Sequence, residues 1–159
     1  MDKRLLGIYL NDHLAGSTLG VELARRLRAN NVDYPEFAEP LTLVCAEIEV
    51  DRRTLEELMS RNGIRRGKLK PAAAWTAEKL GRLKLNGQLR GYSPLSRLVE
   101  LETLLLGIHG KAQMWEALKT VEGEIAGDYD FAALTHRADR QRTRVEELHR
   151  KAGPLALAS

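Results

Sequence analysis

The sequence predicts a single all-α domain, and three observations carry that prediction. Apolar residues recur at three- and four-residue spacing over four long stretches, only five prolines interrupt the chain, and charged residues reach 30% while aromatics stop at 5%. At 159 residues the chain can bury roughly 70% of its unfolded surface, enough for a core that needs neither disulfide nor metal as a staple. The lone cysteine, Cys45, lies in the apolar run from Leu41 to Ala46, so it reads as core packing and excludes a disulfide framework.

The first helix is expected over 3–30, with Leu5, Tyr9, Gly16, Leu19, Leu23 and Leu27 on one face. Asn30, Asn31 and Pro35 end it. A second helix over 36–62 opens among Pro35 to Pro40, because proline suits only a first turn, and carries the stripe Leu41, Val44, Ile48, Leu55 and Leu58. Asn62-Gly63 is its stop signal. Pro71 opens a shorter helix over 71–86, with Trp75, Leu80 and Leu83 as its apolar residues. Ser93-Pro94 then starts a long helix over 94–121, with Leu95, Leu98, Leu101, Leu105, Ile108, Ala112 and Trp115 facing inward. The last helix, over 128–152, is capped by Asp128 or Asp130 and presents Leu134, Ala138, Val145 and Leu148. Residues 153–159 read as a frayed tail to the 1–152 domain.

Two hairpins with short loops thus flank a crossover of about 30 residues, long enough to travel the roughly 40 Å of a 27-residue helix and to make the second and third long helices parallel. In this organisation the chain resembles the ferritin-like four-helix bundles, over about its first 150 residues. The resemblance implies two antiparallel hairpins joined by a long crossover that contains a short helix. It also implies a place to look for metal ligands, since the di-iron members carry a Glu on each of two helices and a Glu-x-x-His on each of the others.

Against that pattern Asp12 lies on the stripe of the first helix beside His13, Asp51 lies on the second, and Glu102 and His109 share a face of the third. Asp12, His13, Asp51, Glu102 and His109 are therefore the candidate metal ligands. The pattern is incomplete: three residues after Glu47 and Glu49 stand Val50 and Arg52, and Glu146-Glu147-Leu148-His149 sits near a helix end. With parallel second and third helices, Asp12 and Asp51 are expected about 20 Å from Glu102, Glu146 and His149. Hydrogen bonding among these polar residues is the reading preferred over ligation.

No Gly-x-Ser-x-Gly or phosphate-binding loop is present, and no catalytic residue is assigned. Gly16 and Gly20, with Gly107 and Gly110 in Gly-Ile-His-Gly, are expected to mark close approach of helices. Charge is unevenly spread: Arg61 to Arg97 holds ten basic residues against one acid, net +9, while Glu36 to Glu57 holds two against seven, net −5. Arg65, Arg66, Lys68 and Lys70 are the candidate polyanion contacts, although the basic crossover is expected chiefly to cover the acidic second helix of its own or a neighbouring subunit.

The resulting expectation is a non-catalytic, ferritin-like binding or interaction module with no cofactor, forming a homo-oligomer such as a dimer. No hydrophobic run here suits a signal peptide or a membrane span, so a cytoplasmic protein without membrane insertion is expected. Two alternatives stay open: a protein binding iron, manganese or zinc, as a di-iron or mononuclear site, and a nucleic-acid or other polyanion binder acting through the basic crossover.

Overall fold

The computed structural model describes residues 1–67 and 92–158, and the expected crossover helix over 71–86 lies outside the described residues. Four long helices dominate: α1 (Lys3–Asn30), α2 (Pro35–Arg61), α3 (Pro94–Lys119) and α4 (Phe131–Leu157), with a 3₁₀ turn at Glu122–Glu124 between the last two. Among the described residues there is no strand, and no helix is long and apolar enough to cross a membrane.

Local chemistry sets the ends. The Asp2 carboxylate accepts from Arg4 and Leu5 N–H, the Ser93 hydroxyl from Ser96 N–H, and Asp130, rather than Asp128, accepts from Ala133 N–H at 2.8 Å. Helix α2 has no side-chain cap and begins on Pro35, whose missing N–H would have had no intrahelical partner there. It stops in a Schellman turn: Gly63 adopts φ +70°, while its N–H reaches Ser60 and that of Ile64 reaches the Met59 carbonyl.

Helix α4 runs five residues beyond the expected end, through Gly153-Pro154 to Leu157. Proline removes one hydrogen bond there. Buried Ala152 and half-buried Ala156 nevertheless pack on the core, and Ala158 N–H bonds to the Pro154 carbonyl, so the last turns are docked rather than frayed.

The stripe on α1 also differs from expectation. Leu5 is 54% exposed, whereas Leu6, Leu10, Leu14, Val21 and Ala24 are buried, so the packed face is rotated by about one residue position, roughly 100°. Leu23 and Leu27 are buried on both readings, and the stripe expected on α2 is buried throughout.

Helix α1 packs on α2 and α3, and α4 packs on α3 and α2. Arg26 of α1 meets Glu100 and Asn31 meets Arg97, so the C-terminal end of α1 lies beside the N-terminal end of α3. Arg144 reaches Glu47 while Arg137 reaches Asp51, making α4 antiparallel to α2. Helices α2 and α3 therefore run parallel on a diagonal, in the up-down-down-up order of an all-α four-helix bundle.

The apolar interior divides into two clusters. One gathers Leu27, Phe37, Leu41, Leu101 and Val145, and the other Leu10, Leu58, Met59, Trp115 and Phe131. Between them, at mid-height, lies a polar layer.

Candidate functional site

The layer is centred on Asp51, which is 2% exposed. Side chains from two other helices serve this one carboxylate. Lys111 Nζ of α3 donates to its Oδ2, Gln141 Nε2 of α4 donates to the same oxygen at 3.0 Å, and Arg137 of α4 grips Oδ1 through Nε at 2.7 Å and Nη2 at 2.5 Å. The Gln141 carbonyl oxygen in turn accepts from Lys111. Burial pushes the Lys111 ammonium below its usual pKa, against the opposing pull of Asp51.

Beside this layer, α1, α2 and α3 border a largely apolar, partly open cavity of about 550 Å³. Its size follows from composition. Gly16 and Gly20 of α1 line it together with Gly107 and Gly110 of α3. A Cβ at any of these four would find nothing within 4 Å. The expectation that they mark close helix approach is thus corrected: bulky residues in the two apolar clusters set the helix spacing, and the glycines between leave the gap unfilled. Leu23, Ile48, Leu55, Leu104, Met114 and Trp115 supply apolar wall, while Lys111 and Arg52 supply cationic wall.

Asp12 and His13 also border the cavity, with Asp12 exposed. His13 meets the Tyr9 ring edge-on at 4.6 Å, and burial lowers its pKa, which favours the neutral imidazole. The other metal candidates lie elsewhere. Glu102 pairs with His149 at 3.0 Å, and His109 is exposed. Nine residues of α3 separate Glu102 from Lys111, about 14 Å along the axis, so Glu102 does not reach the Asp51 layer. Glu146, the other half of the Glu-x-x-His spelling, faces Arg142 at 3.6 Å. Among the described residues no three His, Cys, Asp or Glu side chains cluster as metal ligands. The carboxylate at the centre of the bundle is ringed by cations, so this donor set does not fit the metal that the ferritin-like resemblance implies.

Of the polyanion candidates, Arg66 contacts Glu56 of the acidic second helix at 3.4 Å, and Arg65 borders a surface recess with Lys3 and Arg4. Lys68 and Lys70 lie outside the described residues.

A second polar knot, which sequence reasoning missed, closes one end of the bundle. Glu100, fully buried, faces Arg26 at 2.5 Å and accepts from the Tyr92 hydroxyl at 3.0 Å. Asn31 donates to that hydroxyl and accepts from Arg97, whose guanidinium stacks 4.5 Å from the ring centres of Tyr34 and Phe37. Burial raises the Glu100 carboxyl above its usual pKa. The knot fastens the start of α3 to the α1–α2 turn.

The sequence signal for the mid-height layer is a break in pattern. Asp51 sits within Val44, Ile48, Leu55 and Leu58, and Gln141 within Leu134, Ala138, Val145 and Leu148, each near the middle of its helix. No family model matches the chain, nor does any curated protein or solved structure.

Proposed function

We propose that this chain is a ferritin-like bundle acting as a non-catalytic binding module, and that it holds a small, mostly apolar molecule in the cavity between α1, α2 and α3. One observation carries the reading: a 550 Å³ cavity lined mainly by apolar groups, with a few polar side chains on its wall. That volume falls within the roughly 300–1,000 Å³ range of small-molecule sites. The up-down-down-up helix order supports the ferritin-like part. The cation ring around Asp51 supports binding in place of metal chemistry. A cytoplasmic homodimer belongs to the same reading, and the buried, unpaired Cys45 suits a reducing compartment.

The test is titration with Nile red, a neutral apolar dye. Saturable one-to-one binding with blue-shifted emission is expected, and it should be lost when Gly20→Leu and Gly107→Leu fill the cavity while circular dichroism stays helical. Absence of binding, or binding indifferent to those two substitutions, overturns the reading.

A further inference from the structure

The charges around the cavity are unevenly placed, with Asp51, Lys111 and Arg52 together on one side and Asp12 exposed on another. Asp51 faces two cations, Lys111 and Arg137. Glu56 also faces two, Arg52 at 3.0 Å and Arg66 at 3.4 Å. Glu47 is matched by Arg144 alone, at 3.0 Å. Of these groups only Asp51, Lys111 and Arg52 line the cavity, and with Asp12 its wall carries two cations and two carboxylates.

Two of those cations border the cavity, and each retains donor capacity. The Lys111 ammonium carries three N–H groups, of which Asp51 and Gln141 take two. The Arg52 Nε is buried and has no hydrogen-bond partner among the described residues. Lys111 is also largely withdrawn from water, its side chain only 14% exposed. A buried donor or cation without full compensation is costly, and an acceptor with a negative charge relieves both costs together.

The rest of the lining has no such character. Gly16, Gly20, Gly107 and Gly110 leave a smooth trough, and Leu106, 75% exposed, stands at its border. Asp12 is the one carboxylate on the α1 side, and it is exposed to solvent.

We propose that the ligand is an amphipathic monoanion, a single negatively charged head group received by Lys111 and Arg52 on an apolar tail laid along the glycine trough. The inference rests on the small-molecule reading above and assigns the ligand its chemical class. Lys111 provides the charge-assisted hydrogen bond, and Arg52 a second donor. The glycines provide room for a tail in extended form. A cationic amphiphile meets repulsion at the same place, and a neutral one leaves the Lys111 and Arg52 donors without a charged acceptor.

The experiment compares three twelve-carbon probes on the full chain: dodecanoate, dodecanol and dodecyltrimethylammonium, each by displacement of Nile red and by calorimetry. Dodecanoate is expected to bind at least about tenfold more tightly than dodecanol, with the ammonium compound weakest. Lys111→Met should erase the preference for dodecanoate over dodecanol, and it leaves Asp51 paired with Arg137, which favours a folded variant. Arg52→Gln, on the cavity wall, should reduce the preference independently should Lys111→Met misfold. Equal affinity for dodecanoate and dodecanol overturns the head-group assignment and leaves the cavity reading standing. Tighter binding of the ammonium compound does the same. Failure of Nile red and all three probes to bind instead overturns the cavity reading beneath it.

Discussion

Replacing Asp51 by asparagine removes the one negative charge that Lys111 and Arg137 share, while keeping volume and some hydrogen-bonding capacity. Breaking a buried ion pair by deleting one partner costs about 3–5 kcal/mol, because the surviving charge stays desolvated. Here the side chains of Lys111 and Arg137 are 14% and 24% exposed, so solvent compensates them in part and the lower end, about 3 kcal/mol, applies. Against a total stability of about 5–15 kcal/mol that is a large fraction. At about 2–4 °C per kcal/mol for a domain of this size, the midpoint of thermal unfolding should fall by about 6–12 °C, read by circular dichroism and checked by urea titration at constant m. A second variant separates charge imbalance from lost packing. With Asp51→Leu, Lys111→Met and Arg137→Leu combined, the layer becomes apolar and stability should return to near that of the parent chain or above it. An Asp51→Asn cost below about 1 kcal/mol, or a triple variant no more stable than the single one, would refute the account.

Two further predictions concern the glycines and the buried glutamate. Gly16→Ala and Gly107→Ala should each stabilise the bundle by about 0.5–1 kcal/mol, because each sits inside a helix with free space at its Cβ. Gly127→Ala should destabilise by about 1–3 kcal/mol, since φ is +115° there and the new Cβ meets the Tyr129 ring; chemical denaturation of the three variants decides, and the same sign for all three contradicts the cavity geometry. Glu100→Gln tests the end knot, where Arg26 and Tyr92 face the carboxyl. A folded pKa raised above the ordinary 4.5 means that neutral Glu100 favours folding at acid pH, an advantage lost as pH rises through the folded value. The glutamine variant should therefore gain stability relative to the parent chain across that window and hold the gain above it; a gap that shrinks as pH rises would show the opposite linkage.

The stripe of α2 was legible because Leu41, Val44, Ile48, Leu55 and Leu58 recur at helical spacing with Asp51 as the one break, while Leu43 and Val50 fall outside it and are exposed. Helix α1 was harder to read. Leu5 and Leu6, then Tyr9 and Leu10, offer adjacent stripes of equal spacing, and what separates them is Gly16 and Gly20, which add no packing to the first. The same glycines, seen in sequence, suggest contact; only their position opposite Gly107 and Gly110 makes them a void. Lys111 and Arg137 were illegible for another reason: long basic side chains on helices usually reach water, and their inward turn depends on a carboxylate from a helix at least 60 positions away in sequence. Pro154 reads as a stop, yet the core contacts of Ala152 and Ala156 outweigh one missing hydrogen bond.

The division of the interior into two apolar clusters shapes how the molecule can breathe. Each of the four helices runs unbroken past the polar layer, so the upper and lower halves cannot part lengthwise without snapping continuous rods. Sideways parting of α1 from α3 meets less resistance at the waist, where facing glycines have no side chains to interlock. The waist between α1 and α3 is thus where local opening costs least, while side-chain packing holds both ends.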